Sequence, residues 1–495
     1  MPTSLPSNPH LEHLKKQAKA LLKDFRQNKP AAIERFRSLN LKTAPKLSDA
    51  QHVIAREYGF DTWPSLKQNI DSLAAQTAEA VKLVHTALRQ DNVDEFRRAV
   101  SRYPWLRPNI NNPVSDFDSP FVTQVRSDAM LRALLEAGAD VNARSQWWAG
   151  GFGILDTAPP ELAMSAIRHG ATVTVHAAAR LGLFQKLKEL IEADPQLVHA
   201  PGGDGQTPLH FASTIEIAEY LLDHGAAIDA RDIDHESTPA QYMVRSRPDI
   251  ARYLIQRGCT TEILMAAALG DLPLVQKLLD KDPECIRMRV ASEYFPMVGD
   301  GKTGGTIYQW ELGWYVSAVQ VAKKFGHTDI FDFLMDRSPT DEKLLNACWL
   351  HDAGMVESLL NQSSKLADQL PPAARRHVAH AARNNDTLAV RLMLQAGLPA
   401  DQWSQHRGTA LHWAAFHGNL EIIRLLLEHR VPIENAENQY KDTPLGWAIF
   451  GSMNGWHKGQ GDYVGSVEAL LSAGARPPKE IRGSEAVREV LQRRR

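Results

Sequence analysis

Thr207-Pro208-Leu209-His210-Phe211-Ala212-Ser213 governs the architecture of this chain, because it returns in degraded copies. Two of them are Thr409-Ala410-Leu411-His412-Trp413-Ala414-Ala415 and Thr443-Pro444-Leu445-Gly446-Trp447-Ala448, and Ser317-Ala318-Val319-Gln320-Val321-Ala322 is a fainter echo. Copies lead toward a Leu-Leu pair and a glycine turn, as in Leu134-Leu135 before Gly138, Leu221-Leu222 before Gly225 and Leu470-Leu471 before Gly474. Weaker turns end at Gly170, Gly258 and Gly397, and Gly225 lies 33 residues before Gly258. One unit is legible between Thr409 and Val431. The Thr409 hydroxyl can cap a first helix, and the Ala414-Ala415 pair permits close helix approach. Gly418 ends that helix without a Cβ penalty. Ile422, Ile423, Leu425, Leu426 and Leu427 then make a second helix too apolar for one unit to bury alone.

This T-P-L-H-x-A pattern and its period resemble the ankyrin repeat family from about residue 78 to 478. The resemblance implies an all-α, ankyrin-type helical solenoid of about twelve irregular repeats with short β-fingers. The division expected is a helical N-terminal cap over 1–75, a repeat array over 76–478 and a C-terminal capping helix over 479–495. In this family the signature histidine is structural, its ring bonding backbone in the neighbouring turn, so His210 and His412 are expected to do no catalysis. His176 falls in the same register.

The array is irregular in two ways. Units opening near 77, 172, 260 and 339 lack the residues for a projecting finger: Gly258-Cys259-Thr260-Thr261-Glu262 runs straight into Leu264-Met265-Ala266. Missing fingers are expected to bend the superhelix. Three insertions rich in glycine and aromatics, near 145–158, 287–314 and 451–465, break the period. In repeat proteins such insertions gather on one face, often the binding face.

Bulk composition narrows the function classes. Of 495 residues, 43% are hydrophobic and 23% charged, as in folded soluble proteins, and the net charge of −2 supplies no field for nucleic acid or membrane. Cys259, Cys285 and Cys348 are too few and too scattered for a disulfide framework, and free buried thiols are expected. No stretch approaches the roughly 18 apolar residues of a membrane helix. Met1-Pro2-Thr3-Ser4-Leu5-Pro6 has no signal-peptide pattern, which points to the cytoplasm.

The N-terminal segment reads as helices over 10–26, 31–39 and 48–58, the last capped by Ser48 and ended by Gly59, with a short helix opening at Trp63-Pro64. It is similar to helical leaders that precede ankyrin arrays in bacterial proteins. From His10 to Lys46 there are ten Lys/Arg against three Asp/Glu. A solvated helical face is the simpler account. Nucleic-acid binding over 10–46 is the sharper one, and no stacking platform or DNA-binding motif accompanies it.

Other motifs weigh against chemistry. Gly299-Asp300-Gly301-Lys302-Thr303 hints at a phosphate loop, but Pro296 stands where that motif needs glycine. His377 and His380 have helical spacing without a third metal ligand, which favours surface histidines. Trp413 and Trp447 share a register normally held by a packed leucine and are expected to stack between repeats. Glu293, Asp300, Glu311, Asp462 and His457 lie among insertion aromatics, as they would in a carbohydrate pocket with two working carboxylates.

No catalytic residue, metal or cofactor is assigned. The expected function is a protein–protein interaction scaffold, reading its partner through the concave groove and the inserted aromatic loops. The partner-binding set is Trp349, Phe416, His417, Arg180, Phe325, Trp310, Trp314 and Trp456. An exposed line of Phe, Trp and Arg is the composition of binding hot spots. The alternative is a small-ligand or sugar pocket, with catalysis open, where the 287–314 and 451–465 insertions fold over the groove.

Overall fold

The computed structural model describes residues 11–37, 43–112, 119–299, 303–363, 366–367, 370–372 and 374–494. Lys302 and Asp300, and with them the phosphate-loop reading, lie outside that set, as do His10 and the first residues. The described residues form α-helices and short 3-10 turns, and their only β pairing is two isolated bridges, Arg289 to Ser317 and Trp403 to Thr409. The fold of the described residues is all-α, of ankyrin-type helix pairs, and the chain divides into two compact units, Met1–Ala177 and Ala178–Arg495.

In the first unit, helices Leu11–Arg26, Pro30–Arg37 and Leu47–Glu57 enclose a small core. Leu14, Ala18, Leu21, Phe36, Val53 and Ile54 fill it. The basic face of this segment is partly neutralised, since Lys15, Lys29, Arg35 and Arg37 each pair with a carboxylate. Two expectations fail here. Ser48 is not the cap of the third helix: Lys46 stands at the cap and its backbone N–H donates to Asp49 at 2.7 Å. Trp63-Pro64 opens not a short helix but one of 28 residues, Trp63–Gln90, with Thr62 as its cap. A near-absence of breakers lets it run on, so the unit expected near 77 begins inside it. The Ser145–Gly153 insertion is closed by Asp156, whose buried carboxylate accepts from Arg144 at 2.8 Å and from the Gly153 N–H at 2.7 Å.

The connections expected to lack fingers are short. Pro160–Arg168 is followed by Val175–Arg180, Pro248–Gln256 by Ile263–Leu269, and Thr328–Arg337 almost at once by Thr340–Trp349. Finger-bearing connections are longer, as between Leu420–Glu428 and Pro444–Asn454. Glu262 compensates for one missing finger by capping its own helix, its buried carboxylate accepting from the Leu264 and Met265 N–H groups. Two of the three cysteines are buried and Cys285 is half-buried; all are free thiols. Burial pushes Cys259 and Cys348 up to about 12, so neither is a thiolate at neutral pH.

Fingertip geometry holds a feature the sequence did not announce. Two residues before five of the helix-opening Thr and Ser residues the backbone turns left-handed: Gly205 (φ 76°), Glu236 (45°), Tyr315 (60°), Arg407 (55°) and Lys441 (52°). Only one of these five is glycine, the residue that adopts this region without steric cost. The other four fingertips therefore carry a side chain at the expense of backbone strain. Lys441 is exposed and makes no side-chain hydrogen bond. Lys441→Gly is accordingly expected to raise stability by about 0.5–1 kcal/mol, seen as a higher urea midpoint. A lower midpoint would show that the lysine side chain supports the turn.

Candidate functional site

The signature histidines do what their register implies. His210 Nδ1 accepts from the Thr207 N–H at 3.0 Å, and its Nε2–H reaches the Ser237 carbonyl at 3.1 Å. His412 repeats this with Thr409 at 3.2 Å and the Asn435 carbonyl at 3.0 Å. Thr409 stands at the cap of the helix Ala410–His417 as expected, in a capping box with His412, and its hydroxyl sits 2.8 Å from His412 Nδ1. Burial pushes His412 down to about 4, so the ring is a neutral clamp between fingers.

The 451–465 insertion builds the most aromatic surface of the second unit. Its first residues prolong the helix Pro444–Asn454, and the rest folds back on the end of Ala410–His417. The Asp462 N–H donates to the Gly418 carbonyl at 2.8 Å, and the Tyr463 hydroxyl to the Phe416 carbonyl at 3.0 Å. Glycine is required at these contacts. A Cβ on Gly451 would lie 2.3 Å from the Phe416 oxygen, and one on Gly461 would lie 2.2 Å from the His417 oxygen. The loop so seated lays Trp456 over Trp413 (ring centroids 5.9 Å) and edge-on to Phe416 (5.3 Å). Trp413 and Trp447 are buried and meet edge to face at 5.1 Å, the packing expected for them. Around this floor Tyr440, Phe450 and Trp456 stand 59%, 55% and 59% exposed and rim a recess of about 440 Å³.

Beside it lies Arg383. Its guanidinium is 3.8 Å from the Trp314 ring centre, 5.2 Å from Trp456 and 5.6 Å from Trp413, and Nε donates to Gln405 at 2.8 Å. Burial alone pulls it down to about 9, with no carboxylate opposing, yet it remains a cation at neutral pH. The His417 Nε2–H donates to the Arg383 carbonyl at 2.8 Å, which ties the two helices together beneath the rings.

The eight residues of the predicted surface divide into separate groups. Trp314, Phe416, His417 and Trp456 come together around Arg383. Trp310 is 55% exposed but lies beside His235, 4.9 Å away, on another fingertip. Arg180 is half-buried and near enough to oppose the charge of Arg247. Phe325 ends the helix Ala318–Phe325, half-buried. The expectation of an exposed row is corrected at two positions. Trp349 is buried, its indole N–H donating to His377 Nδ1 at 2.9 Å, and His417 is buried under Trp456. His377 and His380 are not surface residues either. Each is enclosed, each takes an indole N–H (His380 from Trp314 at 3.3 Å), and Tyr315 stacks on His380 at 3.5 Å. Burial drives both well below the usual histidine range.

The described acids proposed for a pocket do not converge on one site. Glu293 pairs with Arg376 at 3.2 Å, and Asp462 caps the helix Tyr463–Ser472 through the Gly465 N–H at 2.8 Å. Burial raises Glu311, whose neighbours are Arg245, Arg247 and Lys324. Sequence reasoning overlooked Trp403, His406, Arg407 and Tyr440. Their one available signal was their place in the few residues before a Thr-x-Leu, the position of the fingertip.

Helix pairs joined by fingers, with histidine clamps in one register and an aromatic face, define a helical-repeat scaffold. The model of ankyrin repeats matches residues 175–265 and 377–479, the second stretch carrying most of the aromatic surface. Ankyrin repeats are therefore present in this chain over those two stretches. It is similar to the E3 ubiquitin-protein ligase KEG of Arabidopsis thaliana, 23% identical over 51% of this chain and 16% of the relative. It is also similar to ankyrin repeat and SAM domain-containing protein 6 of Mus musculus, 30% identical over 22% of this chain and 13% of that protein. A third relative is the palmitoyltransferase Hip14 of Drosophila melanogaster, 30% identical over 25% of this chain and 18% of that protein. The chain therefore spans less than a fifth of each of these relatives. No helix among the described residues is long and apolar enough to cross a membrane.

Proposed function

We propose that this chain is an interaction scaffold that recognises a partner protein through the aromatic surface of Phe416, Tyr440, Phe450 and Trp456. The observation that carries this reading is the exposure of three large rings around a recess whose floor is rigidly packed. Exposed apolar patches on a polar surface are sites of association, and preformed aromatic anchors lose little entropy when bound. The relatives' names support a scaffold as well. A ubiquitin ligase and a palmitoyltransferase share these repeats but not an activity, so the matched segment is common equipment. Affinity capture with the full chain tests the reading. Phe416→Ala/Trp456→Ala is expected to lose its partner, each truncation weakening binding roughly thirty-fold, or about 2 kcal/mol. An unchanged partner set on a variant with wild-type helicity would overturn it.

A further inference from the structure

Next to the aromatic recess is a second one of about 450 Å³, with Trp403, Arg376, Arg407 and His380 in its walls; His406 lines both. Its charges do not balance. Arg376 lies 3.6 Å from the Trp403 ring centre and pairs with Glu293. Arg407 lies 5.5 Å from the same ring, and no carboxylate among the described residues pairs with it. Arg383, between the recesses, also has none. Three guanidiniums thus face one carboxylate.

The hydrogen-bond count leans the same way. His380 Nδ1 accepts from Trp314, so in the neutral ring Nε2 carries the proton, and that buried N–H has no acceptor. The buried Trp413 indole N–H has none either. Buried donors are rarely left so; both rings lie near Arg383, and they outnumber the one buried acceptor there without a donor, His417 Nδ1. Arg407 moreover occupies a left-handed turn that glycine would fill without strain. The neighbouring recess has the opposite character, being walled by rings with the Asp442 carboxylate as its one acidic group.

We infer that the two recesses form one composite site for an acidic peptide segment of the partner protein. A bulky apolar side chain fills the aromatic recess, and a carboxylate one or two residues away meets Arg407 within the field of Arg383. This inference rests on the recognition reading above and adds the chemistry of the partner. A peptide suits the site better than a nucleic acid. The unpaired cations are confined to one end, and Asp442 would repel a phosphate backbone crossing the other.

Fluorescence anisotropy with the full chain tests it, using labelled, end-blocked heptapeptides. The probes are Gly-Ser-Phe-Glu-Asp-Gly-Ser, its amide form with Gln-Asn in place of Glu-Asp, its form with Ala in place of Phe, and a twelve-residue oligothymidine. The acidic Phe peptide is expected to bind at least ten-fold tighter than either altered peptide, with the advantage over the amide shrinking as salt rises. Arg407→Gln, at an exposed fingertip, should remove that acid-over-amide preference, and Trp456→Ala the preference for Phe over Ala. Equal binding of acid and amide, with Phe still preferred over Ala, overturns the acidic-partner inference and leaves the aromatic surface standing. No preference for Phe and no effect of Trp456→Ala overturns both. Tighter binding of oligothymidine than of any peptide overturns the inference in favour of single-stranded nucleic acid.

Discussion

At pH 4 the second unit is expected to be less stable than at pH 7 by at least roughly 5 kcal/mol, from four buried histidines. His412 and His417 are pushed by burial to about 4, and His377 and His380 lie well below the usual range for the same reason. Unfolded, each ring takes its proton near pH 6.5. Between pH 6.5 and about 4 the unfolded chain therefore binds more protons than the folded one. The stabilisation is complete above pH 6.5 and is lost as the pH falls through that window. His412 and His417 alone contribute about 3 kcal/mol each, since one pKa unit is worth about 1.4 kcal/mol. Three carboxylates oppose the trend: burial raises Glu262, Asp232 and Glu311, so each takes up a proton more readily when folded. They are outnumbered by the histidines. Urea midpoints followed by helical circular dichroism from pH 7 to pH 4 measure the slope. A midpoint unchanged between pH 7 and pH 5 would show that the rings are not held neutral.

The same histidines mark how far the sequence could be followed. His210 and His412 were legible because their partners stand at fixed offsets, in their own capping turn and the next finger. The short connections after Arg168, Gln256 and Arg337 were legible too, because a finger needs residues that are plainly missing there. Trp349 was misplaced for a physical reason. Its register lies in the row that faces outward, but its indole finds His377 in the next helix pair, a bond outside the repeated signature. Arg383 reads in the sequence as an ordinary helical arginine. What gives it meaning is the absence of a carboxylate near it, a property of three-dimensional surroundings. Arg407 was hidden differently: a left-handed turn normally advertises itself by glycine, and the glycine is gone.

Glu342→Ala is expected to cost about 3–5 kcal/mol, among the largest effects of any single truncation in the chain. The Arg289 and Glu342 side chains are 2% and 4% exposed and pair at 2.8 Å. Arg287 adds a second contact to Glu342 at 3.3 Å and a stronger one to Asp341 at 2.6 Å. Both acids lie in the first turn of Thr340–Trp349, where the helix dipole favours negative charge. Removing Glu342 leaves Arg289 charged and enclosed, with a weak 3.4 Å contact to Gln320 and the Tyr315 ring 5.7 Å away but no carboxylate partner. The loss therefore measures an abandoned cation more than the worth of the pair. Replacing both partners by apolar residues of similar volume, Arg289→Met with Glu342→Leu, should recover most of the stability. A single-variant loss below about 1 kcal/mol would mean that water reaches Arg289 and solvates it. The pair also has a positional consequence. Arg289 bridges to Ser317, and Val290 exchanges backbone hydrogen bonds with Tyr315 and Val316, which holds the fingertip carrying Trp314 and Tyr315. Tyr315 stacks on His380 and Trp314 covers Arg383. Loosening Arg289 should therefore disturb the cationic recess before the aromatic one. The expected signature is a Glu342→Ala protein that, at temperatures where it remains folded, loses selectivity for acidic peptides while keeping its preference for Phe over Ala.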